Sequence, residues 1–243
     1  MEEKDYGNLW QGKGFLLEMN VAVLISGGKD SALALYRVLR RGYDVKYLVT
    51  MIPHREDSWM FHYPNVRLTS LFAEACGLPL VKAETSGVKE KELEDLKRLL
   101  VNLDVEGVVS GAVCSVYQKN RLDRICAEIG LESIAPLWHE DPKRLMEELI
   151  AEGFWVIFTG VYAYGLDRRW LGRRLDQEAL KDLIELNRKY GISLIGEGGE
   201  YETLVLDAPF FRKRIKILKA RTIWNGESGY LSIEKARLEE KYP

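Results

Sequence analysis

The chain has 243 residues, of which 47% are hydrophobic and 30% charged, and its formal net charge is -2. This composition supplies a core for one large domain or two small ones and excludes wholesale disorder. The near-neutral balance excludes a global basic field for gripping nucleic acid, although not a local patch.

In chain order, residues 1 to 18 lack the basic start and long apolar stretch of a signal peptide. No apolar run approaches the roughly 20 residues that span a bilayer. A soluble, cytoplasmic protein is the expectation. Val21 to Ile25 is continuously apolar, the pattern of a strand buried on both faces. Ala32, Leu35, Tyr36 and Leu39 then recur at helical spacing, and Gly42 ends that helix. Val45 to Met51 reads as a second strand, followed by a polar, aromatic loop from Ile52 to Asn65. A helix is expected from about Leu68 to Cys76, a strand near Leu80 and a charged surface helix from Lys89 to Leu100. Gly107 to Val109 forms the next strand, and Leu122, Ile125, Cys126 and Ile129 mark a further helical stripe. Strand and helix alternating in this way imply a parallel α/β sheet.

The second half changes character. Asp141-Pro142 pairs an N-cap with proline at the first helical position, opening a helix through Ile150. Trp155 to Phe158 reads as a strand. Asp176 caps another helix, with Ala179, Leu180, Leu183, Ile184 and Leu186 on its buried side and Gly191 as its stop. β-rich runs dominate from Thr203 onward: Leu204 to Leu206, Ile215 to Leu218 and Tyr230 to Ile233. Asn225-Gly226 and Ser228-Gly229 mark a turn between the last two. The expected architecture is a Rossmann-like α/β domain over residues 20–136 and a smaller α+β domain over 137–243. The three cysteines, Cys76, Cys114 and Cys126, form no CxxC pair, which argues against a disulfide framework or zinc cluster.

Ser26-Gly27-Gly28-Lys29-Asp30-Ser31 joins the first apolar strand directly to the first helix. Two glycines let the backbone turn sharply and approach an anion without an obstructing Cβ. The unpaired N–H groups and dipole at the helix start favour negative charge. Ser26 and Ser31 add hydroxyl donors, and Lys29 adds positive charge. Asp30 is unexpected in such a nest and suits a helix cap or a ligand for Mg²⁺ beside phosphates. The loop lacks the GxxxxGK[ST] spacing of a Walker A motif and is not GxGxxG.

Further segments carry chemistry, and the first of them lies at the same sheet edge. Ser110-Gly111-Ala112, with Ser115, Tyr117, Gln118 and Arg121, follows the Gly107 to Val109 strand and so lies where open α/β sheets bind ligands. Gln118 continues the apolar stripe of its helix with a polar group, which suits a ligand better than a core. In Gly196-Glu197-Gly198-Gly199-Glu200-Tyr201-Glu202-Thr203, three crowded carboxylates are costly without a cation or a donor-rich ligand. A third segment, Ser58-Trp59-Met60-Phe61-His62, adds an imidazole in the long loop.

SGGKDS resembles the signature of the PP-loop, or N-type ATP pyrophosphatase, superfamily, which includes asparagine, GMP and argininosuccinate synthetases and several tRNA-modifying enzymes. With SGAxxSxYQxxR and EGGEYETLVLDAP, the chain resembles the diphthine–ammonia ligase family from Val21 to about Phe211. That resemblance implies ATP and Mg²⁺ as cofactors, with AMP and pyrophosphate as products. It implies amidation of the diphthine carboxylate on translation elongation factor 2 by ammonia.

On this reading Ser26, Gly27, Gly28, Lys29, Asp30, Ser31, Gly111, Gln118 and Arg121 bind the nucleotide, and Asp30 holds the metal. His62, Glu197, Gly198, Gly199, Glu200 and Glu202 bind the substrate, and Lys29, Asp30 and Glu200 carry the chemistry. Tyr162, Tyr164 and Trp170 are candidates for a cation–π contact with the trimethylammonium tail. A homodimer remains open, and neither membrane association nor stable nucleic-acid binding is expected. The competing readings are a tRNA-modifying PP-loop enzyme, a cobalamin-salvage branch of the same family, and a nucleotide sensor that does not split ATP. Thiolation of tRNA usually needs a pair of reactive cysteines or an iron–sulfur site, and this cysteine spacing offers no obvious one. A sensor has no need of the acidic segment.

Overall fold

The computed structural model describes residues 19–53, 66–85 and 89–241. His62 and its neighbours Ser58 to Phe61 lie outside the described residues.

The first half folds as a doubly wound α/β sheet. Strands β1 (Asn20–Leu24), β2 (Asp44–Pro53), β3 (Leu80–Thr85), β4 (Gly107–Val109) and β5 (Glu132–Ile134) are all parallel, in the order β3-β2-β1-β4-β5. Helices α1 (Lys29–Arg40), α2 (Thr69–Cys76), α3 (Lys89–Leu100) and α4 (Val116–Ile129) connect them. Strand β1 alternates between two cores: Val21 and Val23 belong to one, while Ala22 belongs to the other with Leu96, Val108, Leu122 and Ile125. Burial on both faces explains the unbroken apolar run. The strand order reverses at β1, flanked by β2 and β4. The crevice beyond its carboxyl end is therefore the topological switch point.

In the second half, α5 (Pro142–Ala151) and α6 (Gln177–Tyr190) accompany an antiparallel sheet of order β7-β6-β9-β8. Its strands are β6 (Trp155–Val161), β7 (Tyr201–Asp207), β8 (Lys213–Trp224) and β9 (Gly229–Glu240). Asp141 and Asp176 cap α5 and α6 by accepting from the N–H groups of Arg144 and Ala179, both as expected from sequence. Gly191 ends α6 in the left-handed conformation at φ 72°.

Three features depart from the sequence expectation. Strand β5 is only three residues long, too short to leave a periodic signal. The acidic segment is not wholly a loop, because Tyr201, Glu202 and Thr203 already form the start of β7. Helix α1 is buried around most of its circumference, including Leu33, Ala34 and Val38 outside the expected stripe. It is sandwiched between the parallel sheet and the second half of the chain. There Arg37 grips Glu148 with two hydrogen bonds of 2.6 and 3.1 Å, and Tyr36 donates to Glu152. One apolar core runs through both halves, from Val21 to Ile215. Among the described residues, no helix is long and apolar enough to cross a membrane.

Candidate active site

A cavity of about 1230 Å³, counting its open mouth, lies at the switch point. The parallel-sheet side contributes Leu24 to Ser26, Gly28 to Ser31, Ser110 to Ala112, Gln118 and Leu122, and the antiparallel-sheet side contributes Thr159, Gly196, Glu197 and Tyr201 to Thr203.

The glycine-rich loop is shaped by its own serines. Gly27 turns at φ 85°, a conformation that only glycine adopts cheaply. The Ser26 N–H donates to Ser31 Oγ at 3.3 Å, the Ser31 hydroxyl donates to the Gly28 carbonyl at 3.1 Å, and the Gly28 N–H donates to Ser26 Oγ at 3.3 Å. Helix α1 then opens with an extended Gly28 at its N-cap and no side-chain cap, and its first turn, which carries Asp30, lines the cavity.

Strand β7 is stitched to this loop. The Val205 N–H donates to the Gly27 carbonyl at 2.9 Å, and the Lys29 N–H donates to the Thr203 hydroxyl at 3.1 Å. The motifs at residues 26–31 and 197–203, remote in sequence, thus form one wall.

Gly111 explains the glycine after β4. A Cβ there would lie 2.7 Å from the Asp30 carbonyl carbon and 2.7 Å from the Ser31 nitrogen. Only glycine lets the segment after β4 close on the first turn of α1. The same segment is held from the other half: the Glu197 carboxylate accepts from the N–H groups of Val113 at 2.9 Å and Cys114 at 2.5 Å. Ser115 caps α4, which brings Gln118 onto the cavity wall.

Lys29 and Asp30 are placed differently from one another. The Lys29 ammonium is buried, donates to Asp30 Oδ2 at 2.9 Å and to the Ile195 carbonyl, and lies 5.1 Å from the centre of the Tyr201 ring. It clamps the glycine-rich loop to the turn before β7. Asp30 Oδ1 is covered and has no partner. Burial pushes the Asp30 carboxyl above its ordinary value, opposed by Lys29 and assisted by Glu197.

The remaining candidates separate by geometry. Glu202 lines the cavity, whereas Glu200 lies outside its lining and accepts from the Ser193 N–H at 3.2 Å. Gly198 lies against the Glu200 carboxylate, and the Gly199 N–H donates to the Gly196 carbonyl at 3.1 Å, so both shape the turn. Arg121 lies outside the lining too, with its guanidinium 3.6 Å from the centre of the Tyr117 ring.

Of the three aromatics, Trp170 is core against Phe158, and Tyr164 pairs with Tyr190 on the surface. Tyr162 reaches Glu202; burial first, then that neighbouring carboxylate, hold its hydroxyl protonated. Sequence reasoning placed Ser110 at this sheet edge but missed Thr159; both are buried on the cavity wall with unpartnered hydroxyls. The available signal for Thr159 was a hydroxyl inside the apolar run of β6.

Two family models match the chain, the diphthamide synthase N-terminal domain over residues 19–133 and the diphthamide synthase C-terminal domain over residues 141–238. A diphthine–ammonia ligase of Mus musculus is 34% identical over 92% of this chain and 94% of its own length. One from Danio rerio is 35% identical over 92% and 98%. One from Schizosaccharomyces pombe is 36% identical over 92% of this chain, which spans 40% of that longer protein.

Proposed function

Because the chain belongs to the diphthine–ammonia ligase family, we propose that it is an ATP-dependent amide ligase that converts the diphthine carboxylate of translation elongation factor 2 to the amide. The observation that carries this reading is the joining of two motifs around one cavity. The nucleotide-type loop and the acidic strand are hydrogen-bonded through Lys29, Thr203, Gly27 and Val205. A site made of both has a place for phosphates on one side and for a cationic or donor-rich partner on the other.

In this mechanism the β- and γ-phosphates of ATP sit at the start of α1, where backbone N–H groups and the helix dipole stabilise charge leaving on pyrophosphate. Apolar groups of Leu24, Ile25 and Leu122 give the base a surface, and Gln118 offers it hydrogen bonds. The buried, unpartnered Asp30 Oδ1 fits Mg²⁺, an ion commonly held by one carboxylate plus substrate phosphates. Mg²⁺ bound there supplies charge neutralisation at the phosphates. Lys29 serves the chemistry by holding Asp30 in place and joining the loop to the second half of the chain.

The substrate carboxylate attacks the α-phosphorus, pyrophosphate leaves, and an acyl-adenylate forms. Ammonia then attacks its carbonyl carbon, and AMP departs with the electron pair of the broken C–O bond. In this reading Glu202, which lines the cavity as Glu200 does not, faces these reactants. Tyr162 beside it offers the trimethylammonium tail a ring face next to negative charge. Gly27, Gly28 and Gly111 give the backbone close approach; Ser26, Ser31, Glu197, Gly198, Gly199 and Glu200 hold the walls in register.

The test is incubation of the protein with ATP, Mg²⁺, ammonium and diphthine-bearing elongation factor 2. The expected products are AMP, pyrophosphate and a factor carrying the mass shift of a carboxyl-to-amide conversion. ADP as the main nucleotide product, or an unmodified factor, would overturn the reading.

A further inference from the structure

Between β6 and β7 the ladder slips. Phe158 pairs with Thr203 and Gly160 pairs with Glu202, so two steps on β6 match one on β7 and Thr159 is the extra residue. Such a bulge re-aims a side chain and is frequent beside active sites. Thr159 here belongs to the cavity wall, is 1% exposed, and its hydroxyl has no hydrogen-bond partner. Neighbouring strand residues on that wall have their polar groups engaged: the Thr203 hydroxyl accepts from the Lys29 N–H, and Glu202 bonds to Tyr162. A buried hydroxyl without a partner is costly, and its retention at a bulge asks for a ligand.

The chemistry of the wall selects that ligand. Glu202 lines the cavity next to Gly160 across the ladder, and Glu197 lies on the same side. A phosphate or carboxylate, which only accepts, is repelled by these acids. Ammonium is attracted by them and carries only donors, which a threonine oxygen and a carboxylate both accept. Resting on the ligase reading above, we propose that Thr159 and Glu202 form the ammonia-binding subsite, with Thr159 accepting one N–H and Glu202 taking the proton. Ammonium gives a proton to Glu202, and the freed lone pair forms the C–N bond to the acyl carbon. The C–O bond to AMP breaks with its electron pair on AMP, and the second excess proton on nitrogen passes to solvent.

The experiment compares the parent protein with T159V and T159S in two assays. One is amide formation against ammonium chloride concentration. The other is isotope exchange between pyrophosphate and ATP with the diphthine-bearing factor and no ammonium. T159V, which keeps the shape and removes the hydroxyl, is expected to raise the ammonium KM about ten-fold, with its effect on exchange much smaller. T159S is expected to stay near the parent KM. An unchanged ammonium KM in a folded T159V, or an exchange rate that falls as far as amidation, overturns the assignment. If T159V does not fold, T159A enters the same two assays with the same criteria. A parent protein that shows neither exchange nor amide removes the ligase reading itself, and this subsite with it.

Discussion

The backbone N–H of Lys29 donates to the hydroxyl of Thr203 at 3.1 Å, joining residues 174 positions apart. The donor is the first N–H of α1, one of the groups left unpaired by helix geometry. Its acceptor sits in the acidic segment, so the glycine-rich loop is completed by the second half of the chain.

T203V removes that acceptor while keeping the side chain's shape. The cost is about 1 kcal/mol, the net value of a neutral hydrogen bond. It should be felt as a several-fold weaker ATP affinity, measured by isothermal titration. T203S should bind like the parent. Equal affinity in T203V and the parent would show that the loop holds its shape alone.

G111A should be more damaging than its size suggests. The added methyl meets the Asp30 and Ser31 backbone at 2.7 Å, and backbone yields less readily than a side-chain tip. We expect destabilisation of about 1–3 kcal/mol, the scale of overpacking, in chemical denaturation. AMP formation should fall further than stability alone accounts for, because the strain lands on the first turn of α1.

Glu197 offers a test that needs no substrate. Its two carboxylate oxygens each accept one N–H, from Val113 and Cys114. E197Q replaces one oxygen with an NH₂ group that would face an N–H donor, so it should be as damaging as E197A. Hydrogen exchange should show the Val113 and Cys114 amides losing protection in both variants. Protection retained in E197Q would mean that the contact carries little of the docking.

Activity should carry an acid limb set by Asp30. On the proposed mechanism its carboxyl must be ionised to meet Mg²⁺, and burial, outweighing Lys29, raises its pKa in the protein. Protonation on lowering the pH therefore begins above the range of an ordinary aspartate, and activity is lost there. Metal and proton compete for the same oxygen, so more Mg²⁺ should shift the limb to lower pH. A limb indifferent to Mg²⁺ concentration would assign it to another group.

Sequence pattern revealed the parallel sheet because a strand buried on both faces must be apolar throughout, as Val21 to Ile25 is. It also revealed the caps, since Asp141 and Asp176 act locally. It pointed Gln118 to a ligand from its place after the Gly107 to Val109 strand and its helical spacing, and Gln118 lines the cavity.

It did not rank the three acids of EGGEYET. Which carboxylate faces a ligand depends on where the turn ends and β7 begins, and Tyr201 is the first strand residue. From there Glu202 joins the wall while Glu200 bonds to the Ser193 N–H. The contact of Lys29 with the Ile195 carbonyl was not legible, because the two residues are 166 positions apart. Thr159 offered only a hydroxyl inside an apolar run, because the bulge that marks it is a property of two strands paired.

In the proposed reaction the substrate carboxylate is adenylated before ammonia attacks. The most direct test of this order places an oxygen isotope label in the diphthine carboxylate of elongation factor 2 and follows one round of amidation with ATP and ammonium. Attack on the α-phosphorus predicts one labelled oxygen in the phosphate of AMP for each amide formed, and unlabelled pyrophosphate. Unlabelled AMP, or label released as inorganic phosphate, would contradict adenylation.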